Sequence, residues 1–317
     1  MTSRSDSAPP RLSWLRLFST ALALILMVYL LQQHWAEITD AITRIDPARF
    51  ALAMGLMLVS RLAVSGRWHV LLRAANVPIT WRQSIRITLA GLFAGNFLPS
   101  TVGGDVARLA GTLQAGYDSA VSAASLLVDR LVGLAGMALA MPLGVQQLLA
   151  SGLLQASASS PASSLAAAGG MGGKLLGWIR SVLSRVMEAI RLWLKHPWAL
   201  LASLFFTLVH MACIFLAMYI LLADLHDPLP FWTIAGLWSL VYVITLVPFT
   251  INALGLQEIS ITFAFSQLGG VSEPHSLMFA VLVRLLFMLA SLPGALFLSD
   301  VLPGISKAQP LLKKFGR

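Results

Sequence analysis

Two short polar stretches interrupt an otherwise apolar sequence. They are GNFLPSTVGGDVARL at residues 95–109 and VPFTINALGLQE at residues 247–258. Each places a Pro and a Thr at the end of an apolar run, then a Gly and then an acidic residue. Proline removes a backbone donor and glycine loosens a helix, so each stretch frees backbone N–H and C=O groups. Within a membrane such groups must face protein or a wet cavity, and the pattern therefore predicts two breaks beside a polar site.

The helix ends that follow these breaks are suited to binding an anion. New N-termini after Gly104 and Gly255 would carry partial positive charge and free N–H donors, which match a phosphate or a carboxylate. Asp105 and Glu258 lie shortly after these glycines. We interpret the two acids either as caps of the helix ends or as groups that counter a cationic headgroup or gate by protonation.

Charged residues in and beside the apolar spans are a second candidate feature, because each costs about 2.5–3.5 kcal/mol at a helix centre. They are Arg61, Asp129, Arg130, Glu258 and Arg284. Asp105 and Arg108, three residues apart, can share a helix face, whereas the adjacent Asp129 points away from Arg130 and needs a separate partner. Arg130 and Arg284 would then either hold an anionic headgroup in a cavity or form structural salt bridges with the acids after the breaks.

Enzyme chemistry and cofactor binding find little support in the sequence. The six histidines are scattered, without an HExxH or nucleophile-elbow pattern, and His210 alone lies deep in a span. The single cysteine, Cys213, excludes a disulfide within the chain and a multi-cysteine metal site. The GGMGGK stretch at 169–174 lacks the first Gly and the Ser or Thr of a phosphate-binding loop. We therefore expect no enzymatic activity, no metal and no cofactor.

The composition is that of an integral membrane protein. Of the 317 residues, 57% are hydrophobic and only 11% are charged, against roughly 25% charged residues in soluble domains, and the mean hydropathy is +0.80. The net charge of +9 comes from basic residues between and beside apolar runs. These indicate topology signals and contacts with anionic lipid, and exclude nucleic acid as a partner.

Six apolar runs are long enough to cross a bilayer as helices. They span residues 16–33, 49–66, 119–149, 198–222, 231–249 and 276–299. Basic residues at both ends place both termini in the cytoplasm. Eight crossings result if residues 84–113 and 250–272 each cross as a broken helix, whereas re-entrant loops would leave six and put the basic segment 174–195 outside. We expect an all-α bundle of about eight passes in two four-helix halves, each with one broken or re-entrant helix, related as a parallel repeat.

This topology divides the chain into six segments. They are a cytoplasmic N-terminal tail (1–15), a first transmembrane half (16–150), a flexible Ser/Ala/Gly-rich linker (151–173), a basic amphipathic interfacial helix (174–196), a second transmembrane half (197–300) and a basic cytoplasmic tail (301–317). The interfacial helix is predicted from apolar residues at helical spacing opposite basic ones. Packing of that helix against the bundle is the alternative.

The motifs resemble one known family. GNFLPSTVGGDVARL, LLVDRLVGL at 126–134 and VPFTINALGLQE are similar to the lysylphosphatidylglycerol synthase transmembrane-region family, the flippase-like membrane domain of the multiple peptide resistance factor. The likeness covers roughly residues 15–300. The family patterns correspond to Asn96, Pro99, Gly103, Gly104 and Asp105, to Asp129 and Arg130, and to Gly255 and Glu258. The soluble aminoacyl-transferring domain of that factor has no counterpart in the short tail from Leu302, so synthase activity is not expected.

The resemblance implies a multi-pass protein of the bacterial inner membrane that moves aminoacylated phospholipids or other lipid-linked molecules between leaflets. We expect an anionic or aminoacylated phospholipid, or a lipid-linked molecule, as the substrate. The alternative is a non-catalytic scaffold for a cell-envelope glycosyltransferase or lipid-modifying enzyme. The sequence is also compatible with a homodimer. The candidate headgroup-binding or gating residues are Asn96, Pro99, Ser100, Thr101, Gly103, Gly104, Asp105, Arg108, Asp129, Arg130, Thr250, Asn252, Gly255, Glu258 and Arg284.

Overall fold

A computed structural model describes four long stretches of the chain. These are residues 45–97, 103–152, 195–246 and 253–304, together with the single residues Ile25, Tyr29, Gln32 and Trp193. Several predicted segments lie wholly or almost wholly outside the described residues. They are the N-terminal tail, the span at 16–33, the linker at 151–173, the interfacial helix at 174–196 and the C-terminal tail at 301–317.

All regular structure in the described residues is helical, which confirms the all-α membrane bundle. The helices are α1 (Pro47–Ala74), α2 (Trp81–Phe97), α3 (Gly103–Gln114), α4 (Ser119–Ala150), α5 (Pro197–Asp224), α6 (Phe231–Leu246), α7 (Leu256–Phe263) and α8 (Glu273–Ser291). A π-helical turn, Ala264–Leu268, continues α7. Two 3₁₀ segments, Leu292–Asp300 and Leu302–Gly304, follow α8.

Four of these helices are long and apolar enough to cross a membrane. They are α1, α4, α5 and the continuous span Glu273–Asp300, and they coincide with four of the predicted runs. Local sequence explains where two of them begin. The Asp46 carboxylate accepts a hydrogen bond from the Ala48 N–H at 2.9 Å, and the Asp118 carboxylate accepts one from the Val121 N–H at 2.8 Å, so each acid caps a helix N-terminus.

Helices α2 and α3 form an antiparallel pair, here named the first hairpin (81–114). Gly95 faces Gly104, and Gly91 faces both Gly104 and Arg108; a Cβ on Gly104 would lie 2.9 Å from the Gly91 carbonyl oxygen. The prediction that residues 84–113 cross as a broken helix is therefore wrong, and the segment is re-entrant. The glycines let the two arms pack side by side, and α3 has 12 residues, or about 18 Å, too short to cross alone.

Helices α6 and α7, with the π-helical turn, form a second hairpin (231–268). Gly269, just after the turn, lies beside Leu229 and Leu237, so the second arm returns to the start of the first. The run predicted at 231–249 is one arm of this hairpin and not a separate pass, and the crossing predicted for 250–272 is also wrong. Both arms are short, with 16 residues in α6.

The two halves of the bundle are related by an inverted repeat. Helices α1 and α5 are antiparallel, because Arg49 Nη1 lies 3.2 Å from Asp224 Oδ1 and Ser60 Oγ lies 2.7 Å from His210 Nδ1. Each is followed by a hairpin and then by a long helix. The order of elements repeats as expected. The prediction that the two halves are parallel was wrong, because it counted both hairpins as crossings.

The hairpins consequently enter the bundle from opposite faces. Trp193 Nε1 donates a hydrogen bond to the Leu71 carbonyl at 2.9 Å, so α5 begins at the face where α1 ends. We name this the basic face, which carries Arg73, Arg82 and Lys195. We name the opposite face the acidic face, which carries Asp46, Asp224, Asp227 and Glu273. The first hairpin opens at the basic face and the second at the acidic face.

Each hairpin packs against a long helix of the other half. In the first hairpin, the Leu89 carbonyl meets Gly294 in the extension of α8. In the second, Gly236 meets Gly144 in α4, and a Cβ on Gly236 would lie 2.7 Å from the Gly144 nitrogen. These close glycine contacts hold the first arm of each hairpin against the opposite half of the bundle.

Candidate functional site

A cavity of about 810 Å³ lies between the two hairpins, within the size range of ligand pockets. Both halves of the chain contribute to its wall. The polar lining residues are Arg61, Asn96, Arg130, His210, Tyr242, Thr245, Gln257 and Arg284. Aromatic and aliphatic side chains, including Trp238 and Phe287, form the rest. The cavity thus combines three arginines with apolar walls, which suits a group that joins an anion to lipid tails.

Two equivalent ion pairs connect the hairpins to the long helices that follow them. Arg130 Nε lies 2.5 Å from Asp105 Oδ2, and Arg284 Nε pairs with Glu258 Oε1. Arg284 also donates from Nη2 to the Ala253 carbonyl at 3.3 Å. The salt bridges considered for these arginines are therefore present, and both arginines line the cavity as well. The acids hold the guanidinium groups in place from the second arm of each hairpin.

The two ion pairs differ in exposure although the repeat makes them equivalent. The Arg130 side chain is 59% exposed, whereas the Arg284 side chain is 14% exposed. Glu258 is almost fully buried, and its Oε2 atom has no hydrogen-bond partner among the residues that the structure describes. One pair is thus accessible and the other is enclosed.

Asp129 is the centre of a buried charge network behind the cavity. Its carboxylate receives Arg67 Nε at 2.6 Å and Nη2 at 3.1 Å, and Arg108 Nη1 at 2.9 Å. Arg108 lies 3.5 Å from Asp105, so the predicted i,i+3 pair exists, but its closer partner is Asp129. The guanidinium of Arg108 also lies over the Trp68 ring, 4.3 Å from its centroid. As predicted, Asp129 has partners separate from those of its neighbour in sequence.

Asn96 joins the first hairpin to α8 beside the cavity. Its Nδ2 donates to Ser291 Oγ at 2.9 Å and to the Phe287 carbonyl at 3.3 Å. Gly103 is buried. Gly104 packs against Gly91, so it serves close packing within the hairpin.

The break before α7 has a distinct backbone. Gly255 is the N-cap residue of α7 with φ +74°, a left-handed conformation that favours glycine.

Five of the predicted site residues lie outside the described residues, in the segments that join the two arms of each hairpin. They are Pro99, Ser100, Thr101, Thr250 and Asn252.

Five polar cavity residues were absent from the predicted set, namely Arg61, His210, Tyr242, Thr245 and Gln257. Arg61 is recognisable in the sequence as a charge within an apolar span, and His210 as a deep histidine, but no local pattern connects them. The structure brings them together because α1 packs against α5 and Ser60 bonds to His210. Arg61 and His210 are identified as neighbours by the packing of α1 against α5, and this packing is known only from the three-dimensional structure.

The bundle, its two opposed hairpins and its cationic cavity define a multi-pass membrane protein built on an inverted repeat. Comparison with protein families matches residues 16–294 to the family described as Lysylphosphatidylglycerol synthase TM region. This match covers most of the chain, and the chain belongs to that family, as its motifs suggested. No curated protein matches the chain.

Proposed function

We propose that this protein translocates a lipid between the leaflets of the bacterial inner membrane. The substrate class is an anionic or aminoacylated phospholipid or a lipid-linked molecule. Its headgroup passes through the central cavity while its tails stay in the bilayer. The observation that carries the proposal is the cavity itself, which places three arginines between hairpins that enter from opposite faces. Translocation breaks no covalent bond, so the proposed role is not enzymatic.

The chemistry of the wall supports an anionic headgroup. Guanidinium groups bind phosphate through paired hydrogen bonds and stay charged at all relevant pH values. Inverted repeats with discontinuous helices at the membrane midplane are the common architecture of alternating-access transporters. In such a mechanism the cavity opens first to one face and then to the other. The Arg130 pair, which is exposed in this structure, would become enclosed in the other state, and the enclosed Arg284 pair would become exposed.

Leaflet exchange in liposomes tests the proposal. The purified full-length protein is reconstituted with fluorescent anionic, zwitterionic, aminoacylated or polyprenyl-phosphate lipids, and exchange is measured with an impermeant quencher. We expect exchange by the wild type and a rate at least about tenfold lower for Arg130→Ala, because a direct contact to the anion is lost. Arg82→Ala, an exposed arginine at the basic face, is the matched control and should exchange lipids like the wild type.

One result would contradict translocation and another would contradict the proposed site. No exchange by the folded wild type with any lipid of the panel would contradict translocation and would favour a scaffold for an envelope enzyme. Equal exchange by the wild type and Arg130→Ala would contradict the proposed contact between Arg130 and the headgroup.

We also propose that the basic face is cytoplasmic, following the positive-inside rule. On this orientation both termini are cytoplasmic, as the basic residues near each end predict. In a Cys213→Ala background, Ala115→Cys marks the basic face and Gln267→Cys marks the acidic face. We expect an impermeant maleimide to label Gln267→Cys in intact spheroplasts, but Ala115→Cys only after permeabilisation. Labelling of both positions from the same side would contradict the inverted repeat.

A further inference from the structure

We infer that the cavity selects headgroups with at least two negative charges, a phosphomonoester or a diphosphate, and that Arg61 is the residue that binds them. The inference rests on the proposed function for the view that the ligand is a lipid. The binding preference itself does not require transport, so the two can be tested separately.

Arg61 is a buried cation without a counter-charge among the described residues. It is 7% exposed, and its Nε has no hydrogen-bond partner within the part of the chain that the structure describes. No carboxylate in the described part of the chain pairs with it, and its guanidinium lies over the Phe287 ring at 5.0 Å. The hairpin tips at 98–102 and 247–252 contain no acidic residue. Because an isolated charge within a membrane is costly, a bound anion is the natural partner for this guanidinium.

The charge balance of the central region indicates how much negative charge that anion carries. Among the described residues, the charged side chains that line the cavity or belong to the ion pairs beside it are Arg61, Arg67, Arg108, Arg130 and Arg284, with Asp105, Asp129 and Glu258. Five guanidinium groups against three carboxylates leave two positive charges. His210, which lines the cavity beside Arg61, is hydrogen-bonded to Ser60 and adds no negative charge.

Both excess charges are accessible from the cavity. One is Arg61 itself, and the other belongs to the network in which Arg67, Arg108 and Arg130 share two aspartates. A phosphodiester headgroup brings only one negative charge, and an aminoacylated headgroup with a lysyl group is net positive. A phosphomonoester brings about two negative charges near neutral pH, which matches the excess, and a diphosphate brings at least two. The oxygens of both groups fit the fork of a guanidinium.

Equilibrium binding to the purified full-length protein in detergent tests this inference. The probes are measured at pH 8 and are phosphatidic acid, a prenyl diphosphate, phosphatidylglycerol and lysyl-phosphatidylglycerol. The three glycerophospholipids have matched acyl chains. We expect the first two to bind at least about tenfold more tightly than phosphatidylglycerol, and the cationic lipid to bind most weakly. In Arg61→Gln, phosphatidic acid should lose at least about tenfold in affinity, whereas Arg82→Gln should bind like the wild type.

Equal affinity of the wild type for phosphatidic acid and phosphatidylglycerol would overturn the inference, as would an unchanged preference in folded Arg61→Gln. If Arg61→Gln does not fold, Arg61→Lys decides the role of the residue. This variant keeps the charge but not the paired hydrogen bonds, so an affinity loss of about fivefold supports direct binding and unchanged affinity contradicts it. Selective binding without leaflet exchange would contradict translocation while leaving this inference intact.

Discussion

Asp129→Asn is expected to lower the free energy of unfolding by about 3–5 kcal/mol. The Asp129 carboxylate is 1% exposed and binds both Arg67 and Arg108. Removing its charge leaves two guanidinium groups without their main counter-charge inside the bundle. Chemical unfolding in detergent micelles, followed by circular dichroism, measures the difference between variant and wild type.

The same helix provides a matched control for this substitution. Asp118 caps the N-terminus of α4 through the Val121 N–H, and Asn caps a helix about as well as Asp. Asp118→Asn should therefore change stability by no more than about 0.5 kcal/mol. Equal stability of the two variants would show that the Asp129 network does not hold the bundle together.

The spanning helices could be predicted because their signal is local. The runs at 119–149 and 198–222 are apolar over the length that a bilayer requires, and the structure places α4 and α5 over almost the same residues.

The ion pairs could also be predicted from the sequence. An acid after each break and an arginine in the next span have few other partners at membrane depth, so Asp105 with Arg130 and Glu258 with Arg284 were reasonable alternatives from the start.

The hairpins could not be distinguished from crossing helices by the same reasoning. A Pro and Gly break is compatible with a kinked helix that continues and with one that turns back, because both free the same backbone groups. The difference depends on contacts such as that between Gly91 and Gly104, which join residues on opposite sides of the break. The error then propagated. The first hairpin was counted as one crossing, which reversed the direction of α4, whereas the second was counted as two, which left the direction of α8 unchanged, so the inverted repeat was interpreted as a parallel one.

The cavity shows a similar limit. A sequence identifies Arg61 as a charge in an apolar span, but it does not reveal whether a carboxylate lies nearby. That property depends on the packing of α1 against α5 and on Phe287 from α8. Arg61 belongs to no sequence motif, yet its environment in the structure most directly indicates a ligand.

Asp105→Asn and Glu258→Gln are expected to have different effects on stability but similar effects on transport. Glu258 is buried with Arg284, so Glu258→Gln should cost about 3 kcal/mol of unfolding free energy. Arg130 is 59% exposed, and the buried Arg108 keeps its closer partner Asp129, so Asp105→Asn should cost no more than about 1 kcal/mol. Unfolding in micelles measures both values.

Lipid exchange by the same two variants tests whether the pairs take equivalent roles in an alternating cycle. If each pair becomes enclosed when the cavity opens to the other face, both variants should slow exchange by at least about tenfold, which corresponds to about 1.4 kcal/mol in the barrier. Asp118→Asn should exchange lipids like the wild type. A large loss for Glu258→Gln with none for Asp105→Asn would mean that only the enclosed pair matters. The inverted repeat would then stabilise one static cavity and would not provide two alternating ones.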